Sequence, residues 1–345
     1  MTKNGEKIMA DLYSNYQVLE TIRVPLPEEI VTILSNDAKS FDLIKPSGKP
    51  NKNELYTRII VNYSREFRDR LSDITKDTIK MLNNNVLPAD LLGEICEHIQ
   101  FFALPLKSRK LNSSISIKPN GKSEGTINEI TNDSSYGSNR TAFLRNMFAF
   151  YAMQPAEKRE KIVFKEIYDN ICKAKENKQN IILTLNNKKT YPAVSPYDIV
   201  SSKEELHLYL LSQGVEDKKI YSTRLSKIHS VTILSKGKSD IAEENVAIFE
   251  KMKKHGPQFR YEPGENGAVI ELTDIGKARY NSIYIHRPEP CNDVSDSNIY
   301  HFDCSHEQLF RYFSRFDEGF RIIEPESLKN KIFEFHQRAI CLVDK

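Results

Sequence analysis

The chain has 345 residues, 39% of them hydrophobic and 28% charged, enough for two or three domains and with no compositional sign of global disorder. Its 50 Lys and Arg against 47 Asp and Glu leave a net charge of +3, so any affinity for nucleic acid must come from local basic surfaces and not from bulk charge. Five cysteines without close pairing argue against a disulfide framework and fit a reducing cytoplasm, and no apolar run reaches signal-peptide or membrane-spanning length.

Residues 1–18 read as a polar leader. In "ETIRVPLPEEI", Ile22, Val24 and Leu26 alternate with Thr21, Arg23 and Pro25, which predicts a strand. A helix is expected from Pro27–Glu28, carrying Ile30, Val31, Leu34 and Ala38 inward. After "IKPSGKPNKN", Asn51 or Asn53 can cap a second helix that buries Leu55, Ile59, Val61 and Tyr63. The order strand, helix, helix then recurs. "SSISIKPN" alternates Ile115 and Ile117 with Ser114, Ser116 and Lys118, and "EGTINEITN" makes a short helix. "SNRTAFLRNMFAFYA" repeats the pattern of "NKNELYTRIIVNY", with Arg145 where Arg58 falls and Phe143 where Tyr56 falls. This reads as an internal duplication, with copies at 19–66 and 112–153 inside a helical domain of residues 1–160. A helical stretch from Arg65 to Phe102, broken at Pro88, lies between the copies.

From Ile181 the pattern turns to β. "IILTL", "TYPAVSPY", "LHLYLLSQ", "KIYSTRL" and "HSVTIL" are short apolar runs split by "NNKK" and "QGVEDK", as in a small barrel over 161–238. A linking helix follows in 239–256, with Val246, Phe249 and Met252 on one face and Gly256 at its end. In 257–345 the expected order is strand, strand, strand, helix, strand, helix: "AVIELTD", "SIYIHRP", "IYHFDCS", "EQLFRYFSRF", "FRIIEP" and "SLKNKIFEFHQRAICL". The fold class is therefore α+β and multidomain, with a small ferredoxin-like module at the C-terminal end.

The stretch "IYHFDCSHEQLFRYF" places His301, Asp303, Cys304 and His306 within six residues, as a metal or cysteine-nucleophile site would. Alternation along a strand separates them: His301 and Asp303 take one face, Phe302 and Cys304 the other. Ser305 with Gln308 forms a capping box, Leu309, Phe310, Phe313 and Phe316 supply a buried helix face, and His306 falls in a solvent-facing first turn. Cys304 reads as a core residue. Gly121-Lys122-Ser123 lacks the earlier glycine of a phosphate-binding loop, since position 116 is Ser. The eight histidines are scattered. Asp198, Lys203 and Glu204 loosely resemble a metal-dependent nuclease, a remote alternative. No enzyme activity, cofactor or metal is expected.

Two surfaces suit a nucleic acid. The first is the outward face of the two strands, Thr21 and Arg23 with Ser114, Ser116 and Lys118, which as an antiparallel ribbon fits a major groove. Helix N-termini at Asn51, Lys52 and Asn53 and at Ser138, Asn139 and Arg140 can hold phosphates beside it. The second surface lies on the barrel. With Leu206, Leu208 and Leu210 facing its core, His207 and Tyr209 project outward, joined by Tyr191, Arg224, Lys227, Lys188 and Lys189. That mixture of rings and cations suits single strands.

"YPAVSPYDIVSS", "LHLYLLSQ" and "YSTRLSKI" resemble the WYL domain, a Sm-like β-barrel of bacterial regulators. Leu208-Tyr209-Leu210 stands at the eponymous triplet, with Leu for Trp, and Arg224-Leu225-Ser226-Lys227-Ile228 at the following strand, with Ser226 for the usual acid. "IYHFDCSHEQLFRYFSRFDEGFRIIEP" resembles the extension that follows WYL domains, and "IRVPLPEEIV" with "NKNELYTRII" resembles a ribbon-helix-helix. The same layout occurs in accessory proteins of type VI-D CRISPR systems. The resemblance implies a barrel pocket at Tyr209, Arg224 and Lys227, with His207 and Tyr191 nearby. It further implies a single-stranded RNA or DNA ligand and an RNA-guided CRISPR effector as partner. A cytoplasmic protein is expected from the cysteine usage, and a homodimer is expected whether the ribbon closes within one chain or pairs between chains. The competing expectation is a DNA-binding repressor in which the ribbon reads an operator.

Overall fold

β1 (Ile22–Leu26) and β2 (Ser113–Ile117) pair antiparallel within one chain, with Arg23 opposite Ser116 and Val24 opposite Ile115. The structure, a computed structural model, describes residues 20–82, 110–137, 139–262, 264–295 and 297–343. The leader, Pro88 with the rest of 83–109, and Ser138 lie outside the described residues. The chain divides into two compact units, 1–165 and 166–345.

In the first unit each strand feeds two helices. β1 leads into α1 (Glu28–Ser40) and α2 (Lys52–Leu82), and β2 leads into α3 (Glu124–Asn132) and α4 (Arg140–Ala152). Ile22, Val24, Leu26, Ile115 and Ile117 point inward and are buried, as alternation requires. Tyr56 and Phe143, equivalent by the repeat, are both buried, and Tyr56 meets Phe148 edge to face at 5.7 Å. Two strand–helix–helix segments thus pair within the chain, each supplying the strand partner of the other. α2 runs on into the helical stretch expected from Arg65. One expectation needs correction: Val61 is 40% exposed because it sits two positions from the Ile59–Tyr63 stripe, on the other side of the helix.

A buried ion pair joins the copies. Asp37 on α1 accepts from Arg159 Nε at 2.8 Å and Nη2 at 3.0 Å, and from the Tyr151 hydroxyl of α4 at 2.8 Å. Arg159 lies on α5 (Ala156–Val163) and also donates to the Gln154 carbonyl at 2.7 Å.

The second unit begins at α6 (Lys165–Glu176), whose first residue precedes the boundary. It continues through β3 (Gln179–Leu185), β4 (Val194–Ser201), β5 (Leu208–Gly214), β6 (Ile220–Arg224) and β7 (Ile228–Lys238), an antiparallel sheet of order β6-β5-β4-β3-β7. The outer strands β6 and β7 are joined only by the 3-10 turn Leu225–Lys227. A flat sheet would hold them about 19 Å apart, whereas four steps along such a turn cover about 8 Å. The sheet must therefore curl into a barrel-like form. Register shifts at Pro196–Asp198 and Thr184–Leu185 mark bulges that help it bend.

α7 (Glu243–His255) then lies across the sheet, and Gly256, at φ +129°, ends it in a conformation that favours glycine. Beyond it come β8 (Ala268–Leu272), α8 (Asp274–Ser282), β9 (Ile299–Phe302), α9 (His306–Phe313), β10 (Phe320–Glu324) and α10 (Glu326–Val343). The sheet is three-stranded and antiparallel, order β10-β8-β9, and so differs from the ferredoxin-like pattern, which needs four strands. "SIYIHRP" is not a strand. Side chains take up its backbone instead: the Pro288 carbonyl accepts from Tyr280 at 2.6 Å, the Ile283 carbonyl from Tyr312 at 2.9 Å, and the His286 N–H goes to Glu204 at 2.6 Å. Cys304 is buried and its thiol is pushed up by that burial, while Ser305 caps α9 by accepting from the Gln308 N–H at 3.2 Å. His306 does not face solvent as expected; its Nε2 lies 2.9 Å from the Gly267 carbonyl and its Nδ1 3.6 Å from Glu265.

Removing Asp37 leaves the half-buried Arg159 without its counter-charge and the Tyr151 hydroxyl without its acceptor. Asp37→Ala should therefore cost about 2 kcal/mol or more in urea unfolding, and a loss well under 1 kcal/mol would show that Asp37 does not tie α1 to α4 and α5.

Candidate nucleic-acid interface

The curl of the sheet brings two loops together. The turn after β3 is closed by the Lys188 N–H to the Leu185 carbonyl at 2.8 Å and the Leu185 N–H to the Lys189 carbonyl at 2.9 Å, with Lys188 at φ +64°. Asn186 in that turn donates its N–H to the Lys227 carbonyl at 3.0 Å and its side-chain amide to the Ser226 carbonyl at 2.8 Å. Lys188, Lys189 and Lys227 are thus exposed on two loops tied to each other, and Arg224 immediately precedes the second loop. Tyr191 sits beside them: Lys189 Nζ lies 5.3 Å from the centre of its ring, and Tyr221 meets it edge to face at 5.9 Å. Tyr221, a residue the sequence reading missed, donates to Asp217 at 2.6 Å, and that bond together with burial pushes its hydroxyl up to about 12. Its alternation with Ile220 and Ser222 in "KIYSTRL" was the available signal.

His207 and Tyr209 do not project outward. Both are buried, at 7% and 6% exposed. Leu208 and Leu210 are buried on one face as expected, but the opposite face of β5 is covered as well. Leu211 on that face packs against Phe249 and Met252 of α7, and Gln213 accepts from the Asn245 side chain at 2.6 Å. A central strand under a helix is buried on both sides, and alternation then no longer separates core from surface. Tyr209 does stand directly opposite Arg224 and its hydroxyl bonds Glu205, but its ring offers no open face for a base. Leu206, expected in the core, lies in a turn at φ +56° and is 51% exposed.

On the ribbon, Thr21, Arg23, Ser116 and Lys118 are exposed and Ser114 half-buried. Arg23 Nε donates to Ser114 Oγ at 3.1 Å across the strands. The helix N-termini beside the ribbon are largely occupied. Asn51 accepts from the Glu54 N–H at 3.3 Å, Asn139 from the Ala142 N–H at 3.0 Å, and Asn53 exchanges both its amide groups with the Lys118 backbone at 2.8 and 3.0 Å. Asn53 is therefore a strut between α2 and β2. Glu54 in the first turn of α2 also opposes a phosphate there, while Lys52 is exposed and Arg140 donates to Thr131 at 3.2 Å.

Asp198, the residue of the nuclease alternative, is held between Lys175 at 2.7 Å and Lys253 at 3.3 Å, and Glu204 is bonded to His286. Among the described residues no three His, Cys, Asp or Glu side chains gather as a metal site would need, and no helix is long and apolar enough to cross a membrane. Burial pushes the Asp198 carboxyl up, but the two lysines outweigh it and its pKa is lowered.

The fold is thus that of a multidomain α+β chain carrying basic surfaces in both units. No protein-family model matches the chain, and neither does any curated protein. A solved structure described as a CRISPR Cas-related protein superposes over 94% of this chain and 94% of its own, with a TM-score of 0.63 and 17% identity. The two share one fold over nearly their whole lengths. A proteasome accessory factor B/C structure from Arthrobacter aurescens covers 48% of this chain and 26% of its own, at 13% identity and a TM-score of 0.22.

Because the folded pKa of Asp198 is depressed, the stability it adds is full above its unfolded value, about 3.9, and is lost as pH falls through the folded value. Asp198→Asn should flatten the acid limb of the stability profile below about pH 4; an unchanged limb would show that the lysine bridge contributes nothing.

Proposed function

We propose that the protein is a non-enzymatic nucleic-acid-binding regulator of the WYL class that grips single-stranded RNA at its barrel end and stimulates an RNA-guided CRISPR ribonuclease. The observation that carries this reading is the gathering of the exposed Lys188, Lys189 and Lys227 on two loops joined by hydrogen bonds to backbone carbonyls, with the Tyr191–Tyr221 pair beside Lys189. Cations neutralise a strand's phosphates and a ring edge supports its bases, without reference to sequence. The strand order, with a helix before the sheet and one 3-10 turn between its outer strands, supports the likeness to a Sm-like barrel. The CRISPR association is supported by the shared fold with the CRISPR Cas-related protein. The binding residues differ from those expected in one respect: Tyr191 and Tyr221 take the stacking role first given to Tyr209 and His207.

A second reading is favoured by the antiparallel β1–β2 pair, which resembles the ribbon of a ribbon-helix-helix and exposes Arg23, Ser116 and Lys118 on one face. On it the protein is a repressor that reads duplex DNA. RNA is preferred because Arg23 is the one strong base reader of the first copy and is already bonded to Ser114, which is thin for sequence-specific readout. A cytoplasmic homodimer fits either reading. The apolar residues Phe333, Phe335 and Ile340 of α10, each at least 40% exposed, are the surface proposed for pairing.

Binding to short single-stranded RNA should weaken with salt. Replacing Lys188, Lys189 and Lys227 together by Ala should reduce the slope of log affinity against log salt by about 2. Tyr191→Ala should weaken binding by about tenfold or more, with Arg23→Ala neutral. Tight, sequence-selective duplex DNA binding that Arg23→Ala abolishes and the lysine replacements spare would establish the repressor instead.

A further inference from the structure

Three polar atoms line one recess of about 120 Å³ in the second unit: His255 Nε2 at the end of α7, Gln258 Oε1 just beyond it, and Gln308 Oε1 in the first turn of α9. Each is buried, and no protein group among the described residues hydrogen-bonds to it. Buried polar atoms are nearly always paired, so three around a single hollow point to an occupant. Gln308, one of the residues lining the recess, is only 3% exposed. No residue of the barrel-end cluster lines it.

The orientation of both amides is fixed from their far ends. Gln308 Nε2 donates to the His286 carbonyl at 3.3 Å, and Gln258 Nε2 donates to Glu204 at 3.2 Å. Each amide nitrogen is therefore engaged, that of Gln258 by Glu204, which itself lines the recess, and each oxygen is left to accept. Gly256 leaves room for the Gln258 amide: a Cβ there would stand 2.8 Å from both its nitrogen and its oxygen. His255 is held below its usual pKa by burial and by Lys254, so its ring is neutral at pH 7.

The rim has the opposite character. Lys203, Lys254 and Arg287 line it, while the carboxylate of Glu204 is committed to His286 and Gln258, leaving Glu289 as the other acid. The occupant must bring uncharged N–H donors to the interior and negative charge to the rim. An engineered cavity of about 150 Å³ admits benzene, so this recess takes one heterocycle edge, with any phosphate left outside. Among the bases, guanine presents two adjacent donor groups on one edge, N1–H and N2–H₂, whereas adenine and cytosine present a single amino group there.

We propose that this recess binds a guanine nucleotide, its N1–H and N2–H₂ donating to the carbonyl oxygens of Gln258 and Gln308 and its phosphate lying on Lys203, Lys254 and Arg287. The site is separate from the barrel-end grip and does not depend on it. The guanine has two possible sources, a free mononucleotide or a base within a strand.

The test is titration calorimetry of the full chain with GMP, AMP, inorganic phosphate and a guanine-containing RNA trinucleotide. GMP should bind, AMP at least about tenfold more weakly, as the loss of one buried hydrogen bond implies, and phosphate more weakly still. Gln258→Leu and Gln308→Met should each weaken GMP by about tenfold with an unchanged melting temperature. Should Gln308→Met lower the melting temperature, the half-buried Gln258 decides. The triple lysine variant of the barrel end should keep full GMP affinity, so failure of the RNA reading leaves this result standing. A trinucleotide that binds more tightly than GMP upholds the recess and names a strand as the source; the reverse order upholds it and names the free nucleotide. Absence of GMP binding, equal affinity for AMP, or GMP affinity that survives Gln258→Leu overturns the proposal.

Discussion

The step from Arg224 to Ile228 constrains the whole second unit. Its ends belong to the two outer strands of a five-stranded sheet, and a single 3-10 turn cannot bridge them unless the sheet curls. Curling places the β3–β4 turn against that connection, where Asn186 bonds the Ser226 and Lys227 carbonyls. Three lysines from sequence positions nearly 40 residues apart then share one end of the module. Their charge is local, as a chain of net +3 requires if it is to hold a polyanion.

The first unit answers a different constraint, that of a two-stranded ribbon whose edges would otherwise lie open. A second strand–helix–helix segment supplies the partner strand within the chain, and the inward-facing Ile22, Val24, Ile115 and Ile117 give the helices a shared core. The Asp37–Arg159 pair adds orientation more than net energy, since burying both charges sets a desolvation cost against their attraction. It ties α1 of one copy to the helices that follow the other. The struts at Asn53 and the caps at Asn51 and Asn139 use polar groups that, in the sequence alone, look available to a ligand.

Polar residues in this chain thus divide by what their neighbours leave unused. Asp198, Glu204 and Asn53 have the composition of functional groups, yet each is committed to a partner in its own unit. Gln258 and His255 belong to no motif and Gln308 only to a helix cap, yet all three line one hollow and carry a buried polar atom that no protein group among the described residues bonds. Hydrogen-bonding capacity left over inside a fold is a better guide to binding than residue type, because leaving such an atom unpaired costs free energy that only an occupant or ordered water can offset.

The sequence by itself determined what local periodicity controls. Alternation around Arg23 and Ser116, the helix start at Pro27, the Ser305 cap and the order of five short strands were all legible, since each depends on residues a few positions apart. Only the tertiary structure decided which faces are covered. Tyr209 alternates correctly with Leu208 and Leu210, but α7, more than 30 residues further on, closes over its side of β5. In the same way "SIYIHRP" has the composition of a strand, and it became a loop because Tyr280, Tyr312 and Glu204 take its backbone groups before any strand can. Burial of a second face and the destination of a hydrogen bond are set by contacts distant in the chain, and no window of sequence contains them.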